Sequence, residues 1–273
     1  MTTASERVTE FRRLHEHGCF VIPNPWDVGS ARVLAGLGFP ALATTSSGHA
    51  WSTGRQDNHV PLDEALVHFR IIAASVEVPV NGDFEGGFAA APADVRRNVA
   101  AAAATGVAGL SIEDSTGHPD RPLFDYPLAV ERIRAAREAI DESGTGILLT
   151  GRSEGFIVGV PDLDETIRRL AAYADAGADC LYAPGIRSQE AIRAVVEAVA
   201  PKPINVLVGA DFTTVAQLAD LGVRRISVGG ALARAAWTGF LRAAREIAER
   251  GRFTQLGLAV PSVEIEGSFG LDR

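Results

Sequence analysis

The stretch TGVAGLSIED (residues 105–114) predicts the architecture of this chain, because it joins a glycine, a short spacer, an apolar run and a charged end. Glycine at the end of a helix followed by an apolar run is typical of a junction between a helix and a buried strand. The same phrase recurs as GLGFPALATT (36–45), AGADCLYAPG (176–185) and LGVRRISVGG (221–230). The repetition predicts strands that alternate regularly with helices.

Four more apolar runs complete a set of eight predicted strands, at 19–22, 79–83, 146–150 and 203–207. Predicted helices lie near 28–36, 61–75, 92–105, 127–141, 162–176, 188–198, 213–220 and 231–250. Strict alternation predicts a parallel sheet, and eight units favour a closed (β/α)8 barrel. A doubly wound open sheet is the alternative, but no GxGxxG motif follows the first strand.

We expect one domain over residues 1–273, with the barrel at about 19–250 and a C-terminal tail at 251–273. The tail is less periodic than the barrel. We expect it to add a helical segment that packs on a neighbouring subunit.

Composition excludes several partners. The formal charge is −8, which argues against nucleic acid and anionic membranes, since both attract basic surfaces. Two cysteines and the absence of a signal-peptide pattern predict a cytoplasmic protein without disulfides. No apolar stretch is long enough to span a bilayer. Lys202 is the only lysine and lies between two prolines, so Schiff-base chemistry is not expected.

Three predicted strands end in charge: Asp83 and Glu85 in GDFE, Glu113 in SIED, and Arg152 in TGRSE. Charges at the carboxyl ends of parallel strands meet at one end of a barrel. Asp83 and Glu85 would point to the same side if the strand continues through both. Three carboxylates that converge need a cation, and oxygen ligands without nearby His or Cys predict Mg²⁺ or Mn²⁺.

Arg152 is the expected partner of an anionic substrate, since a guanidinium binds a carboxylate through two parallel hydrogen bonds. An ion pair with Glu154 or Glu113 is the alternative. The TTSSG segment offers small residues whose backbone N–H groups could hold a carboxylate. The glycines of SVGG could hold a phosphate, or they could serve only close packing. The remaining candidates at predicted strand ends and their loops are Thr45, Ser46, Ser47, Gly48, Asp57, His118, Tyr182 and Asn205.

Several of these phrases together resemble the isocitrate lyase/phosphoenolpyruvate mutase superfamily. They are NPWDVGSAR (24–32), TTSSG (44–48), GDFEGGF (82–88), IEDS (112–115), TGRSE (150–154) and RISVGGALARAA (225–236), together with the aspartate at 57. The resemblance implies a (β/α)8 barrel that forms homodimers or homotetramers by exchanging a C-terminal helix. It also implies Mg²⁺-dependent cleavage or formation of C–C or P–C bonds through a pyruvate enolate.

The resemblance assigns roles to individual residues. Asp83 matches a direct metal ligand, and Glu85 and Glu113 match ligands that act mainly through water. Asp57 matches a site aspartate and Arg152 a substrate-binding arginine. The backbone of Ser46, Ser47 and Gly48 matches a cradle for the substrate carboxylate.

The chain also departs from the family pattern. After the fourth strand, STGHPDRPLFDYP (115–127) lacks the cysteine and lysine of the lyase and mutase loops, and the acidic pair is Asp-x-Glu instead of Asp-x-Asp. We therefore expect a lyase that acts on a small 2-oxo acid or a 2-hydroxy precursor, by decarboxylation of oxaloacetate or retro-aldol cleavage. A P–C bond enzyme, a non-catalytic 2-oxo acid-binding barrel and a phosphate-binding barrel are the alternatives. Tyr182 and His118 are the candidate acids.

Overall fold

The computed structural model describes residues 2–269 and contains one eight-stranded parallel sheet in the order β1-β8-β7-β6-β5-β4-β3-β2. The strands are β1 Phe20–Ile22, β2 Leu42–Ala43, β3 Val80–Asp83, β4 Gly109–Glu113, β5 Leu148–Arg152, β6 Cys180–Tyr182, β7 Ile204–Leu207 and β8 Arg225–Ser227. The Ala43 amide N–H donates to the Pro23 carbonyl at 3.1 Å, which brings β2 back to the end of β1. The barrel predicted from the repeat is therefore confirmed.

Helices follow the strands as predicted. They are α1 Ala4–Glu16, α2 Val28–Gly36, α3 Ser46–Ser52, α4 Leu62–Ser75, α5 Pro92–Ala103, α6 Tyr126–Ser143, α7 Leu163–Asp175, α8 Gln189–Val199, α9 Val215–Asp220, α10 Ala231–Arg250 and α11 Ser262–Gly267. The short helix α3 was not expected, because TTSSG gives an N-cap signal that is hard to distinguish from a loop. A 3₁₀ turn at Thr254–Leu258 links α10 to α11.

Strand alternation places apolar side chains outward and polar ones inward. On β4, Leu110 and Ile112 are fully buried in the core that joins the sheet to its helices. Ser111 and Glu113 take the alternate positions and face the barrel interior. The same alternation on β5 turns Thr150 and Arg152 inward. The barrel interior is therefore polar towards its carboxyl end, which leaves room for a site.

Helix α1 closes the amino-terminal end of the barrel. A capping box between Thr3 and Glu6 starts the helix. Phe11 is fully buried against Gly109, where a β-carbon would stand 2.8 Å from the phenyl ring. His15 is 7% exposed and packs edge-on against both Phe11 and Phe20. These residues plug the end opposite the predicted site.

The C-terminal segment lies outside the barrel. Of the twenty residues in α10, only Ala233 is buried, while Phe240, Leu241 and Ile247 are exposed. The last residues of the predicted tail, 270–273, lie outside the described part of the chain. Within the described part, none of the helices combines the length and apolar character needed to cross a membrane.

Candidate active site

The carboxyl ends of the strands surround a cavity of about 180 Å³ that runs down into the barrel. Its size is below the usual range for drug-sized ligands and suits a short acid. The candidate residues on its wall are Thr45, Ser46, Ser47, Asp57, Asp83, Arg152, Tyr182 and Asn205. We call the group of Asp57, Asp83, Glu85, Glu113 and Arg152, at the carboxyl end of the barrel, the mouth.

Asp83 ends β3 and is held by its neighbours in a fixed orientation. Its backbone N–H donates to Thr44 Oγ1 at 2.9 Å, and its Oδ2 accepts the backbone N–H of Ser46 at 3.0 Å. Its Oδ1 accepts Arg152 Nη1 at 3.2 Å and lies 3.4 Å from Ser111 Oγ. The preceding residue is Gly82. A β-carbon at this position would stand 2.8 Å from the Phe69 ring, which is too close for a larger residue. These contacts fix the Asp83 carboxylate at the end of the sheet.

Arg152 is the cation at the centre of the mouth. Its Nη1 lies 3.2 Å from both Asp83 Oδ1 and Glu113 Oε2, while Nε and Nη2 form a fork with Glu154. Burial opposes its charge, but Glu154 and Glu113 raise the pKa of this guanidinium well above its usual value. The ion pair that the sequence left as an alternative is therefore present, and Glu154 belongs to the site.

Glu85 does not lie on the strand, so the reasoning that placed its side chain beside that of Asp83 is wrong. The strand ends at Asp83, and Glu85 adopts a left-handed backbone conformation with φ of 47°. This conformation costs roughly 1 kcal/mol for a residue with a β-carbon. Burial and the charges of Asp83 and Asp57 nevertheless raise the pKa of Glu85 to about 8. The turn therefore brings Glu85 close to both aspartates.

The acidic groups at the mouth outnumber its single cation, Arg152. Burial raises the pKa of Glu113 well above its usual value, although Arg152 acts in the opposite direction. Glu154, Asp83 and Glu85 add to the increase. Acidic oxygens that crowd in this way fit a hard cation by their chemistry.

The carboxylates are not arranged as a ready-made chelate. Within residues 2–269, no group of three or more His, Cys, Asp or Glu side chains has a metal-binding arrangement. Arg152 Nη1 stands between Asp83 and Glu113 and draws both carboxylates to itself. A cation held by these residues would therefore require Arg152 to turn towards Glu154, or water to bridge the remaining distances.

Helix α3 provides the small residues of TTSSG, but their backbone groups differ in availability. Thr45 is the N-cap, and its Oγ1 accepts the Gly48 N–H at 3.4 Å. The Ser46 N–H is already bonded to Asp83. Gly48 packs against Trp26 and Ala233, where a β-carbon would stand 3.0 and 3.3 Å from their β-carbons. Ser47 also lines the cavity, and among residues 2–269 its backbone N–H is not bonded to a side chain as those of Ser46 and Gly48 are.

A second, larger cavity of about 880 Å³ lies on the other side of the acidic wall. Glu85, Glu113 and His118 line this cavity, whereas Tyr182 lines the first one. Burial raises the pKa of Tyr182 to about 12, so its phenol keeps its proton at neutral pH. The guanidinium carbon of Arg152 lies 5.1 Å from the centre of its ring. The two candidate acids therefore face different cavities.

A buried hub fixes the strand end behind Arg152. Asp114 Oδ1 accepts the Glu154 N–H at 2.8 Å. Its Oδ2 accepts Tyr173 Oη at 2.6 Å and Arg169 Nη1 at 3.0 Å. Arg169 Nη1 also donates to the Phe124 carbonyl in the loop after β4, at 3.0 Å. The hub therefore joins β4, β5 and that loop.

Arg132 ties the acidic loops to each other. It is 1% exposed and donates to the backbone carbonyls of Gly86, Ala89 and Glu113. Its guanidinium carbon stands 3.9 Å from the centre of the Phe124 ring. This role could not be predicted, because one arginine in a charged helix has the pattern of a surface residue.

The histidine pair and the buried arginine described next were not predicted from the sequence. His49 and His68 stack with ring centres 3.7 Å apart, and burial lowers the pKa of His68 to about 3, with His49 adding to the effect. At the lower end of the cavity, Arg225 is 3% exposed and bonds Asn205, Thr150 and His15. We call these four residues the floor. Two adjacent arginines, at 224 and 225, gave no indication of which one faces inward.

Residues 11–248 match the model of the phosphoenolpyruvate phosphomutase family. An uncharacterized protein of Mycobacterium tuberculosis is 31% identical over 94% of both chains. An oxaloacetate decarboxylase of Bradyrhizobium diazoefficiens is 30% identical over 188 residues, covering 66% of this chain and 64% of the relative.

Solved structures with related sequences have the same fold. A putative lyase/mutase from Burkholderia cenocepacia superimposes with a TM-score of 0.94 and 47% identity, covering 97% of each chain. A 2,3-dimethylmalate lyase superimposes with a TM-score of 0.85 and 29% identity, covering 99% of this chain and 95% of the other.

Proposed function

Because this chain belongs to the phosphoenolpyruvate phosphomutase family, within the isocitrate lyase/phosphoenolpyruvate mutase superfamily, we propose that it is a Mg²⁺-dependent lyase. Its substrate would be a small 2-oxo acid or 2-hydroxy precursor in which a C–C bond is cleaved. The observation that carries this proposal is the set of acidic groups around Arg152, between the cavity of about 180 Å³ and its larger neighbour. Similarity to an oxaloacetate decarboxylase and to a 2,3-dimethylmalate lyase supports C–C cleavage.

In this proposal, Asp83 holds Mg²⁺ directly, while Glu85 and Glu113 hold its water ligands. Bound Mg²⁺ supplies Lewis-acid polarisation of the 2-oxo group. Asp83 suits its role because Thr44 and Ser46 already hold it in place. Asp57 also lines the cavity, and its charge contributes to the raised pKa of Glu85.

Arg152 and the segment from Thr45 to Gly48 would orient the substrate. Arg152 is tied to Glu154 by a fork, so a carboxylate that approaches Nη1 competes with Asp83 and Glu113 for it. Ser47 and Asn205 line the same wall. A cation that engages the two acids would leave Nη1 free for the substrate.

Tyr182 is the preferred proton donor, since it is protonated at neutral pH and lines the cavity of the reacting atoms. His118 lines the neighbouring cavity and is the second candidate. Tyr182→Phe removes the proton and keeps the ring beside Arg152. We expect this variant to lose turnover while its KM changes little, and His118→Gln to retain turnover.

The direct test is a substrate screen with oxaloacetate, 2,3-dimethylmalate and phosphonopyruvate, in MgCl₂ and in EDTA. We expect saturable, Mg²⁺-dependent release of a 2-oxo acid from one of the first two compounds. Phosphate release from phosphonopyruvate alone would favour P–C chemistry instead. Calorimetric binding without turnover of any compound would leave a non-catalytic binding barrel.

A homodimer or homotetramer is part of this proposal. Helix α10 exposes Phe240, Leu241 and Ile247, and the segment after it exposes Phe253 and Leu258. We propose that a second copy of the chain covers this helix, because the same apolar surface on two copies can pair across a two-fold axis. We expect Leu241→Glu to reduce the mass measured by light scattering to that of one chain, whereas Leu37→Glu, at a site 70% exposed just after α2, leaves the mass unchanged.

A further inference from the structure

Arg225 is a buried cation without an acidic partner. It is 3% exposed at the start of β8, and in the described chain, residues 2–269, no carboxylate lies within 4.0 Å of its guanidinium. By contrast, the buried Arg169 contacts two acids, and the half-buried Arg152 contacts three. Taking a charge out of water without pairing it is costly, so the burial of Arg225 needs an explanation.

All three partners of Arg225 are neutral. Nε donates to Asn205 Oδ1 at 2.9 Å, Nη2 donates to Thr150 Oγ1 at 3.1 Å, and Nη1 lies 3.3 Å from His15 Nε2. The Nδ1–H of His15 donates to the Phe11 carbonyl at 2.7 Å, which leaves Nε2 as the acceptor. A guanidinium carries five N–H groups, so two remain uncommitted.

Arg225 also differs from Arg132, which is buried with neutral partners as well. Arg132 bonds three backbone carbonyls and lies over the Phe124 ring, whereas Arg225 lines the cavity below Asp83. Ser111 and Ser227 line the cavity too and offer hydroxyl donors. The uncommitted N–H groups of Arg225 therefore have both open space and additional donors near them.

From this arrangement we propose that the floor of the cavity is an anion subsite, where Arg225 binds the carboxylate of a small organic acid. The occupant is a carboxylate because its planar oxygens match two N–H groups of one guanidinium. The subsite lies below the mouth, so an acid bound there would have its other end towards Asp83 and Arg152. The inference adds to the proposed function, but its test requires no turnover.

The test is a calorimetric titration of the metal-free protein with oxalate. The buffer contains EDTA and no chloride. We expect Arg225→Gln to raise the dissociation constant by about tenfold or more, and Arg225→Lys to raise it less. Arg224→Gln is the matched control, since Arg224 bonds the Gly18 carbonyl outside the barrel, and its affinity should equal that of the wild type. An unchanged affinity in folded Arg225→Gln would overturn the proposal.

A crystal of the unmodified protein soaked in bromide gives an answer even if Arg225→Gln does not fold. We expect an anomalous peak within about 4 Å of the Arg225 Nη atoms that disappears when oxalate is added. A bromide that oxalate does not displace would identify a structural halide and refute the carboxylate assignment. A cavity without an anomalous peak would refute the subsite. If the substrate screen fails but oxalate binding depends on Arg225, the subsite stands without the lyase.

Discussion

The mouth and the floor differ in which kind of group lacks partners. Acidic groups outnumber cations at the mouth, whereas the cation at the floor has no acidic partner among the described residues. At the mouth, Asp83, Glu113 and Glu154 share the single guanidinium of Arg152. At the floor, Arg225 has only Asn205, Thr150 and His15. A folded chain tolerates a buried imbalance of charge poorly, and ligands of opposite sign would relieve both. This difference supports the two proposals of a cation above and an anion below.

The largest expected effect comes from Asp83→Ala, which removes the best-ordered carboxylate from the mouth. Turnover should fall by about 10⁴-fold, since the polarising cation loses its direct ligand. Titration with Mn²⁺ followed by electron paramagnetic resonance should show the loss of affinity independently of turnover. Asp164→Ala, an exposed acid on α7, should bind Mn²⁺ normally. Equal Mn²⁺ affinity in the two variants would rule out this metal ligand.

Asp114→Ala tests a buried acid whose charge is balanced, next to Glu113 in the chain. It leaves Arg169, Tyr173 and the Glu154 N–H without their partner. The free energy of unfolding should fall by about 3–5 kcal/mol, as expected when one member of a buried ion pair is removed. Urea denaturation measures it, with Asp164→Ala again as the control. A loss below about 1 kcal/mol would mean that the hub is not structural.

Acid should destabilise the floor through His15. Burial, with Arg225 adding to it, lowers the pKa of His15 to about 3 from the usual 6.5. The unfolded chain therefore takes up the proton first, so stability is complete above pH 6.5 and is lost as the pH falls towards 3. The loss is about 1.4 kcal/mol per pH unit, with a similar contribution from His68.

Denaturation between pH 7 and 4.5 measures this slope in the wild type and in His15→Gln. The variant should show about half of the histidine-dependent loss, because His68 still contributes. His17→Gln replaces an exposed histidine two residues away and should follow the wild type. An identical slope in His15→Gln and the wild type would show that His15 is not held neutral.

The smallest effect is expected from Glu85→Gln, which replaces a carboxyl group at the crowded mouth by a neutral amide of the same shape. Burial and the charges of Asp83 and Asp57 make ionisation of Glu85 costly, so the amide should stabilise the metal-free protein by about 1 kcal/mol at pH 7. Mg²⁺ affinity should fall by about tenfold. Glu131→Gln on helix α6 is the control for the substitution itself. Destabilisation of metal-free Glu85→Gln would contradict the view that the mouth disfavours a further carboxylate.

Sequence patterns predicted the order and ends of the strands better than the contacts made inside the barrel. Apolar runs that end in charge, several of them after a helix-ending glycine, are local patterns, so strand ends such as Asp83 and Arg152 were predicted correctly. The turn at Glu85 and the inward orientation of Arg225 depend on where a strand stops and on its register. Register is set by pairing with distant strands, so no local pattern carries it. The roles assigned to the site residues stay predictions until the variants are measured.

Helix α10 has a consequence for how this protein is handled. With one buried residue in twenty, the helix gains little from its own barrel, so in the proposed oligomer its stability would depend on mass action with a second copy. Melting temperatures would then rise with protein concentration, and dilution during an assay would itself change the sample. A turnover number from a nanomolar assay and a stability from a micromolar one would describe different species.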